Sequence, residues 1–271
     1  MKVKKIKNII SFSGGKDSTA LILWAFENLK EFEVIFCDTG WENKITYDYI
    51  QHINETLLRD KLIVLKSSKY EGFADMSIKR KRVPSSKVRF CTIELKLNPV
   101  VEYIQDKLNG FEVHLYNGIR ADESASRSKM KTKEFDGDHF GTWIHRPLLN
   151  YSSEEIFNLH KKYNIEPNPL YKLGFSRVGC MPCVMARLNE VKRMAKLFPE
   201  DIQKIRDLEG ELGTTFFAAD KIPDRFLKSY DEKTKSKIAF IDNIIEYVQD
   251  DPDQGEIFEP ESCMSKYNIC E

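Results

Sequence analysis

Several features that would define a class of protein are missing from this 271-residue sequence. No apolar run approaches the length of about 18 residues that a membrane-spanning helix needs. Lysine plus arginine and aspartate plus glutamate both total 42, so net charge does not favour a polyanion or a membrane surface as partner. The basic start MKVKKIKNII lacks the apolar core and small-residue cleavage site of a signal peptide. These absences predict a cytoplasmic protein with no membrane partner.

Internal repeats and low-complexity segments are also absent. With 41% hydrophobic and 31% charged residues, the chain can form one large α/β domain, alone or with a small appendage. Six cysteines in a cytosolic chain of this length favour metal or redox chemistry over a disulfide framework.

Short β-type runs alternate with helical patterns along the first part of the chain. The runs lie at residues 6–12, in FEVIFCD, in KLIVLKS and in FEVHLYNGIR, and apolar residues recur at helical intervals between them. This alternation predicts an α/β fold with a doubly wound, mostly parallel sheet. Such sheets bind ligands beyond the carboxyl ends of their strands. Three of the predicted strands end in polar segments there: SGGKDS, DTGWE and GIRADES.

The later part of the chain is less regular. GTWIH predicts a further strand, and residues 152–163 a helix whose cap is Ser152 or Ser153 with Glu154 or Glu155 nearby. Residues 187–210 look helical, and the chain from about residue 216 looks polar and irregular. We therefore predict an α/β domain over residues 1–175 and a helical or irregular, cysteine-bearing extension over residues 176–271.

A glycine-rich motif directly follows the first strand: Ser13, Gly14, Gly15, Lys16, Asp17 and Ser18. The glycines let backbone N–H groups approach a phosphate, the following helix directs its positive dipole end at it, and Lys16 adds a full charge. Ser13 and Ser18 can donate hydroxyl hydrogen bonds. The alternative is a tight turn with glycines for steric reasons and a capping residue, but the strand–loop–helix context favours an anion site.

The motif SGGKDS is the signature of the PP-loop adenine-nucleotide α-hydrolase superfamily, and this chain resembles the phosphoadenosine-phosphosulfate (PAPS) reductase family within it. The segments CDTGWENKITYDYI, RFCTIELKLNP, GIRADESASR and HRPLLNYS, with the block after it, are similar to motifs of that family. The resemblance covers roughly residues 8–200. It implies a Rossmann-like PP-loop fold that binds ATP or PAPS, with Mg²⁺ as the metal cofactor.

The resemblance also implies roles for single residues. It places Lys16, Asp17 and Arg120 in catalysis and Gly118 in nucleotide binding. The forked guanidinium groups of Arg120 and Arg127 suit phosphate or sulfate oxygens, and Glu123 would orient an arginine.

The end of the second strand carries Asp38 and Thr39. An acidic residue at this point suits a hydrogen bond to ribose hydroxyls, and the resemblance implies the same adenosine-side role. The alternative is that both residues only cap the next helix.

A basic run at residues 79–89, KRKRVPSSKVR, carries six positive charges. A solvated surface is the ordinary explanation of such a run. A phosphorylated substrate or a nucleic-acid partner would use it instead.

The cysteines include one close pair, Cys180 and Cys183, whose C-x-x-C spacing lets two thiolates bind one metal or cluster iron. Cys263 and Cys270 form a looser pair, and Cys91 stands alone after the basic run. The resemblance implies a [4Fe–4S] cluster. We predict Cys180, Cys183, Cys263 and Cys270 as its ligands, with Cys91 as the substitute. Structural Zn²⁺, a redox disulfide and free thiols stay open.

Three functions follow from these patterns. In the first, a nucleophile attacks the α-phosphorus of ATP, so that pyrophosphate leaves and an acceptor is adenylated for sulfur transfer from a sulfur donor. In the second, a cysteine thiolate attacks the sulfur of PAPS or its unphosphorylated analogue APS, and a thioredoxin-like protein releases sulfite. The third is nucleotide binding without turnover. Assimilatory reductases carry an E-C-G-[IL]-H tail and a tandem cysteine where Cys91 stands alone, so both departures favour the first function. The oligomeric state stays open.

Overall fold

The central element of this protein is a six-stranded sheet. A computed structural model describes residues 5–107, 110–138, 141–232 and 235–250. The sheet has the strand order β3–β2–β1–β4–β6–β5. The strands are β1 (Lys5–Phe12), β2 (Glu33–Cys37), β3 (Leu62–Leu65), β4 (Phe111–Tyr116), β5 (Lys133–Asp136) and β6 (Thr142–His145).

All neighbouring strands run parallel except β5, which pairs antiparallel with β6. The predicted α/β class and mostly parallel sheet are therefore confirmed. Strand β1 lies between β2 and β4, so the chain order reverses its direction across the sheet at β1. The carboxyl ends of β1 and β4 therefore mark the switch point, where sheets of this kind bind ligands.

Helices cover both faces of the sheet. They are α1 (Lys16–Asn28), α2 (Lys44–Thr56), α3 (Phe73–Lys79), α4 (Phe90–Thr92), α5 (Asn98–Lys107) and α6 (Ser153–Lys162), with a π-helical stretch (Ile93–Leu97) joining α4 to α5. One buried apolar cluster joins α1, α2 and α6 to one face, and a second joins α5 to the other. The predicted cap of α6 is present, because Ser152 and Glu155 exchange side-chain and backbone hydrogen bonds. Within the described ranges, no helix combines the length and apolar character needed to cross a bilayer.

The C-terminal part differs from the sequence prediction. The helical region at residues 187–210 forms two helices, α7 (Leu188–Leu197) and α8 (Pro199–Leu212), because a proline lacks the N–H that would continue the first one. The chain after residue 216, predicted to be irregular, contains the antiparallel pair β7 (Ser229–Asp231) and β8 (Ser236–Ile238) and the helix α9 (Ile241–Asp250). Helix α9 was missed from the sequence although its apolar residues recur at helical spacing. Four of these residues are buried: Ile241, Ile244, Tyr247 and Val248.

A third apolar cluster packs the helices α7–α9 against the loop after β2 and helix α3. It includes Trp41 and Phe73, which stack at 4.8 Å, together with Phe216. Buried Glu209 supports this packing by accepting the N–H groups of Phe216 at 2.7 Å and Ile241 at 2.8 Å, and burial raises its pKa to about 7. The cluster contains residues on both sides of position 175, and the division of the chain there stays a prediction.

The switch point requires a glycine at position 118. A Cβ atom added to Gly118 would lie 2.9 Å from the carbonyl oxygen of Asp17 and 3.1 Å from the nitrogen of Ser18. The loop after β4 therefore passes directly against the start of α1.

We predict that Gly118→Ala lowers the free energy of unfolding by about 1–3 kcal/mol, because the added methyl group meets backbone atoms that cannot move aside. Gly210→Ala is the control: position 210 lies in α8 with no atom within 4 Å of the added Cβ, so we expect a gain of about 1 kcal/mol. Chemical denaturation measures both. Equal stability of G118A and the wild type would contradict the close approach.

Candidate functional site

The glycine loop between β1 and α1 closes around a buried carboxylate. The side chain of Asp17 is fully buried, and its two oxygens accept from the Nζ atom of Lys16 and the Nε atom of Arg120, each at 2.6 Å. Lys16 and Arg120 expose 12% and 5% of their side chains. A buried carboxylate without these cations would be costly. Asp17 therefore joins the loops after β1 and β4 and holds two cations at the switch point of the sheet.

The arginine from the second loop has further acidic partners. The Nη1 atom of Arg120 donates to the exposed carboxylate of Asp122 at 2.6 Å. Burial by itself lowers the pKa of Arg120, but Asp17 and Asp122 reverse this effect and raise it. The predicted binding residue Arg127 is buried and ion-paired with Glu123. Glu123 also accepts the backbone N–H of Arg120 at 2.9 Å, so it connects the two arginines.

The loop serines turn inward. The Ser18 hydroxyl donates to the carbonyl of Gly15 at 3.0 Å, lies 3.0 Å from the Ser13 hydroxyl and accepts the Ser13 N–H at 3.2 Å. Gly14 adopts a φ of +82°, which a glycine tolerates without strain. The loop is therefore closed partly by its own hydroxyl groups.

A segment over 140 residues away supports the loop from behind. The carbonyl of Gly14 accepts from Asn168 at 3.2 Å, and the N–H of Lys16 donates to the Tyr171 hydroxyl at 3.0 Å. Nε2 of the buried His160 lies 2.8 Å from the carbonyl of Lys16. Sequence reasoning missed these supports. The one sequence signal in this region is the turn-rich composition of residues 164–183, which is typical of an ordered loop.

The two predicted adenosine-side residues at the end of β2 differ in their exposure to solvent. Asp38 is partly exposed and accepts from the Gly40 N–H at 2.9 Å and the Tyr47 hydroxyl at 2.7 Å, with Lys66 at 3.1 Å. Burial alone raises the pKa of Asp38, but these partners reverse the effect and lower it. Thr39 is buried, and its hydroxyl donates to Glu42 at 2.6 Å.

The cysteine-bearing loop is attached to this same strand end. Glu42 and Cys180 form an isolated β-bridge, and the Met181 N–H donates to the carbonyl of Trp41 at 2.9 Å. The Trp41 indole N–H donates to the carbonyl of Pro182 at 2.7 Å. The segment DTGWE after β2 therefore positions the C-x-x-C segment.

Three of the predicted cysteines line one cavity of about 100 Å³: Cys91, Cys180 and Cys183. Arg89, Lys96, Arg177 and Thr39 also line this cavity. Burial raises the pKa of the Cys91 thiol to about 12 and that of the Cys180 thiol to about 11. Cys37 is buried in β2, its thiol facing the carbonyl of Lys96 at 3.6 Å.

The structure describes only some of the predicted metal ligands, and the ligand set stays a prediction. Cys263 and Cys270 lie outside the described residues. Among the residues that are described, no group of three or more His, Cys, Asp or Glu side chains is arranged to hold a single metal ion. Three thiols nevertheless line one cavity with Arg89, Lys96 and Arg177 beside them, so the donor chemistry at this cavity, though not the arrangement, is that of an iron–sulfur ligand set. For Mg²⁺ the fit is poorer at Asp17, because each of its oxygens already binds a cation.

A family model matches the part of the chain that contains the glycine loop and the C-x-x-C segment. The family model described as the phosphoadenosine phosphosulfate reductase domain matches residues 7–186. This match covers the sheet, the glycine loop and the C-x-x-C segment. The chain belongs to this family, which confirms the resemblance found in the sequence.

Similar sequences include reductases and uncharacterised proteins. A protein of Escherichia phage 186 is 33% identical, with 74% of both chains covered. A protein of Methanocaldococcus jannaschii is 30% identical over 75% of this chain but only 47% of its own length. Adenosine 5'-phosphosulfate reductase 1 of Bacillus subtilis is 25% identical over 65% of this chain and 72% of its own. The chain thus spans three quarters of the phage relative but about half of the archaeal one.

A solved structure has the same fold. The phosphoadenylyl-sulfate reductase of Candida auris, in a phosphate complex, superposes with a TM-score of 0.51 at 16% identity. The match covers 67% of this chain and 84% of that one. At this identity the likeness shows the fold alone.

We predict that Asp17→Asn lowers the free energy of unfolding by about 3 kcal/mol, because two buried cations lose their shared carboxylate. Asp122→Asn is the matched control, since it removes a carboxylate from the same arginine at a half-exposed position; its loss should stay within about 1 kcal/mol. Urea denaturation compares the two variants. Similar losses for both would show that Asp17 is not the carboxylate on which the loop depends.

Proposed function

We propose that the protein binds an adenine nucleotide with its phosphates on the glycine loop and catalyses a reaction at the α-phosphate of ATP. The observation that carries the proposal is the pair of cations, Lys16 and Arg120, held by buried Asp17 at the switch point of the sheet. Fixed cations and helix N-terminal N–H groups in a crevice favour a polyphosphate. Family membership supports an adenine nucleotide as the ligand.

Each part of the site has a role in this proposal. Lys16 and Arg120 offset the charge of the phosphates, and Asp17 positions both cations without contacting the nucleotide. Asp38, at the partly exposed end of β2, accepts hydrogen bonds from the ribose hydroxyls. Mg²⁺ would be held mainly by the phosphates, as is usual for this ion.

In the proposed reaction, a nucleophilic oxygen or sulfur of the acceptor forms a bond to the α-phosphorus. The bond from the α-phosphorus to the bridging oxygen breaks, and pyrophosphate leaves with the electron pair. Lys16 and Arg120 stabilise the charge that develops on the leaving group. Where the nucleophile was an oxygen, sulfur from a donor then forms a bond to the acceptor atom that carries this oxygen. The bond between that atom and the oxygen breaks, and AMP leaves with the oxygen and the electron pair.

Reduction of APS or PAPS is the second candidate. It is supported by the similarity to the Bacillus subtilis reductase and by thiols beside the strand end that carries Thr39. We place it second because Thr92 follows Cys91 where the reductases have a second cysteine. A thioredoxin-like protein would be the partner in that case.

We propose further that Cys91, Cys180 and Cys183 contribute ligands to a [4Fe–4S] cluster, with Zn²⁺ as the alternative. The fourth ligand would come from the predicted pair Cys263 and Cys270. The residues Arg89, Lys96 and Arg177 around the cavity would offset the charge of the thiolates. When bound, the cluster would supply redox or sulfur-binding chemistry beside the nucleotide.

A nucleic-acid partner stays a proposal for the basic run at residues 79–89. Within this run, Lys79 and Arg80 are paired with Asp75 and Glu94. Lys81 and Lys87 are exposed and are the residues we would expect to contact a polyanion. The cytoplasmic location expected from the sequence also stays a prediction.

We predict that ATP with Mg²⁺ raises the unfolding temperature of the protein and that Lys16→Ala removes this effect. A hundredfold excess over the dissociation constant corresponds to about 2.7 kcal/mol of stabilisation. Thermal unfolding with ATP, APS and PAPS measures the preference, and release of AMP and pyrophosphate measures the reaction. Lys172→Ala, at an exposed lysine paired with Glu166, is the control and should respond to ATP like the wild type.

Two outcomes would contradict this proposal. Release of sulfite from APS or PAPS with thioredoxin, without any ATP-dependent reaction, would establish the reductase candidate. Unchanged ATP affinity in K16A would remove the glycine loop from the nucleotide site.

We predict that protein purified without oxygen is brown and absorbs in the visible region, as iron–sulfur clusters do. Cys91→Ser should lower its iron content, because Cys91 lines the same cavity as the C-x-x-C pair. Cys37→Ser, at a cysteine outside that cavity, should keep it. Visible spectra and elemental analysis are the measurements. Colourless protein with stoichiometric zinc would favour the alternative, and loss of metal in C37S but not in C91S would contradict the ligand set.

A further inference from the structure

His160 links helix α6 to the glycine loop through its two ring nitrogens. The side chain is buried to 1% exposure. Its Nδ1 atom lies 3.0 Å from the carbonyl oxygen of Ile165, in the turn that follows α6. Its Nε2 atom lies 2.8 Å from the carbonyl oxygen of Lys16. Both partners are carbonyl oxygens, which only accept, and a neutral imidazole carries a single N–H, so donation in both contacts requires a proton on each ring nitrogen.

The contact between His160 Nε2 and the Lys16 carbonyl is one of several that hold Lys16 in place. The Lys16 carbonyl faces His160, the Lys16 N–H donates to the Tyr171 hydroxyl, and the Lys16 ammonium group binds Asp17. The ammonium group also lies 5.4 Å from the centre of the Tyr171 ring. The peptide groups on both sides of the Lys16 Cα are thus held from behind the loop. This fixes the direction in which the side chain leaves the backbone.

We propose that His160 is a positioning residue for Lys16 and that its two ring nitrogens have separate roles. Nδ1 closes the turn after α6 and contributes to stability. Nε2 orients the peptide of Lys16 and contributes to the affinity for phosphates. The inference rests on the proposed function, in which Lys16 binds the phosphates of an adenine nucleotide.

Two amide variants separate the roles, because the amide nitrogen of asparagine lies near the position of Nδ1 and that of glutamine near the position of Nε2. His160→Gln keeps the donor to Lys16 and loses the donor to Ile165. His160→Asn does the reverse. A net hydrogen bond of about 1 kcal/mol corresponds to roughly a five- to tenfold change in an equilibrium constant.

The test measures the dissociation constants of ATP with Mg²⁺ and of PAPS by calorimetry, together with the unfolding temperature. We expect a crossed pattern. H160Q should unfold at a lower temperature than H160N yet bind nucleotide within about threefold of the wild type, whereas H160N should bind roughly tenfold more weakly. Ile156→Val, at a fully buried position of the same helix, is a destabilised control whose nucleotide affinity should be unchanged.

A purely structural histidine would give a different result. Affinity that falls in parallel with the unfolding temperature, or equal affinity in H160N and the wild type, would overturn the positioning role while leaving nucleotide binding intact. Failure of the wild type to bind ATP or PAPS would overturn the proposed function itself, and the inference with it.

Discussion

The structure of the site depends on one buried carboxylate shared by two cations. Asp17 begins the first turn of α1, and Arg120 comes from the loop after β4, so their ion pair joins the two segments that leave the sheet at its switch point. Because the pair is buried, its separation would leave Asp17 with Lys16 alone and Arg120 with Asp122, and each charge would lose a partner where water cannot replace it. The same carboxylate fixes Lys16, and the absence of a side chain at Gly118 allows the two loops to approach closely enough for the pair to form.

A second junction attaches the C-x-x-C segment to the end of β2. Trp41 and Glu42, just after β2, hold the segment Cys180–Cys183 through a backbone hydrogen bond, a hydrogen bond from the Trp41 indole and an isolated bridge. Thr39 contacts both the segment after β2 and the C-x-x-C segment, since its hydroxyl donates to Glu42 and lies 3.8 Å from the Cys180 sulfur. The strand end expected to face the adenosine therefore also lines the cavity of the three cysteines.

The sequence predicted the regular elements where the physical signal is local. Continuous apolar runs identified β1 to β4, because strands covered on both faces are apolar throughout. Strand β5 was missed because KEFD, at the edge of the sheet, has a single apolar residue, Phe135, among its four positions and shows no alternation. Helix α9 was missed although its apolar spacing was present. The site residues near the strand ends were identifiable from their motifs, whereas His160 and Tyr171 were not, since neither residue belongs to a motif with a chemical role.

What the sequence by itself determined is the order of strands, polar loops and helices, and hence which residues lie at the carboxyl ends of the strands. The tertiary structure decided which of these residues meet. Asp17 and Arg120 are 103 positions apart and Lys16 and Tyr171 are 155 apart, and their contacts exist because β4 lies beside β1 in the sheet and the loop after α6 folds back onto the glycine loop. The same packing brings Cys91 to the C-x-x-C pair. Local patterns carry no record of strand order or loop packing, because both arise from the burial of apolar surface over the whole chain.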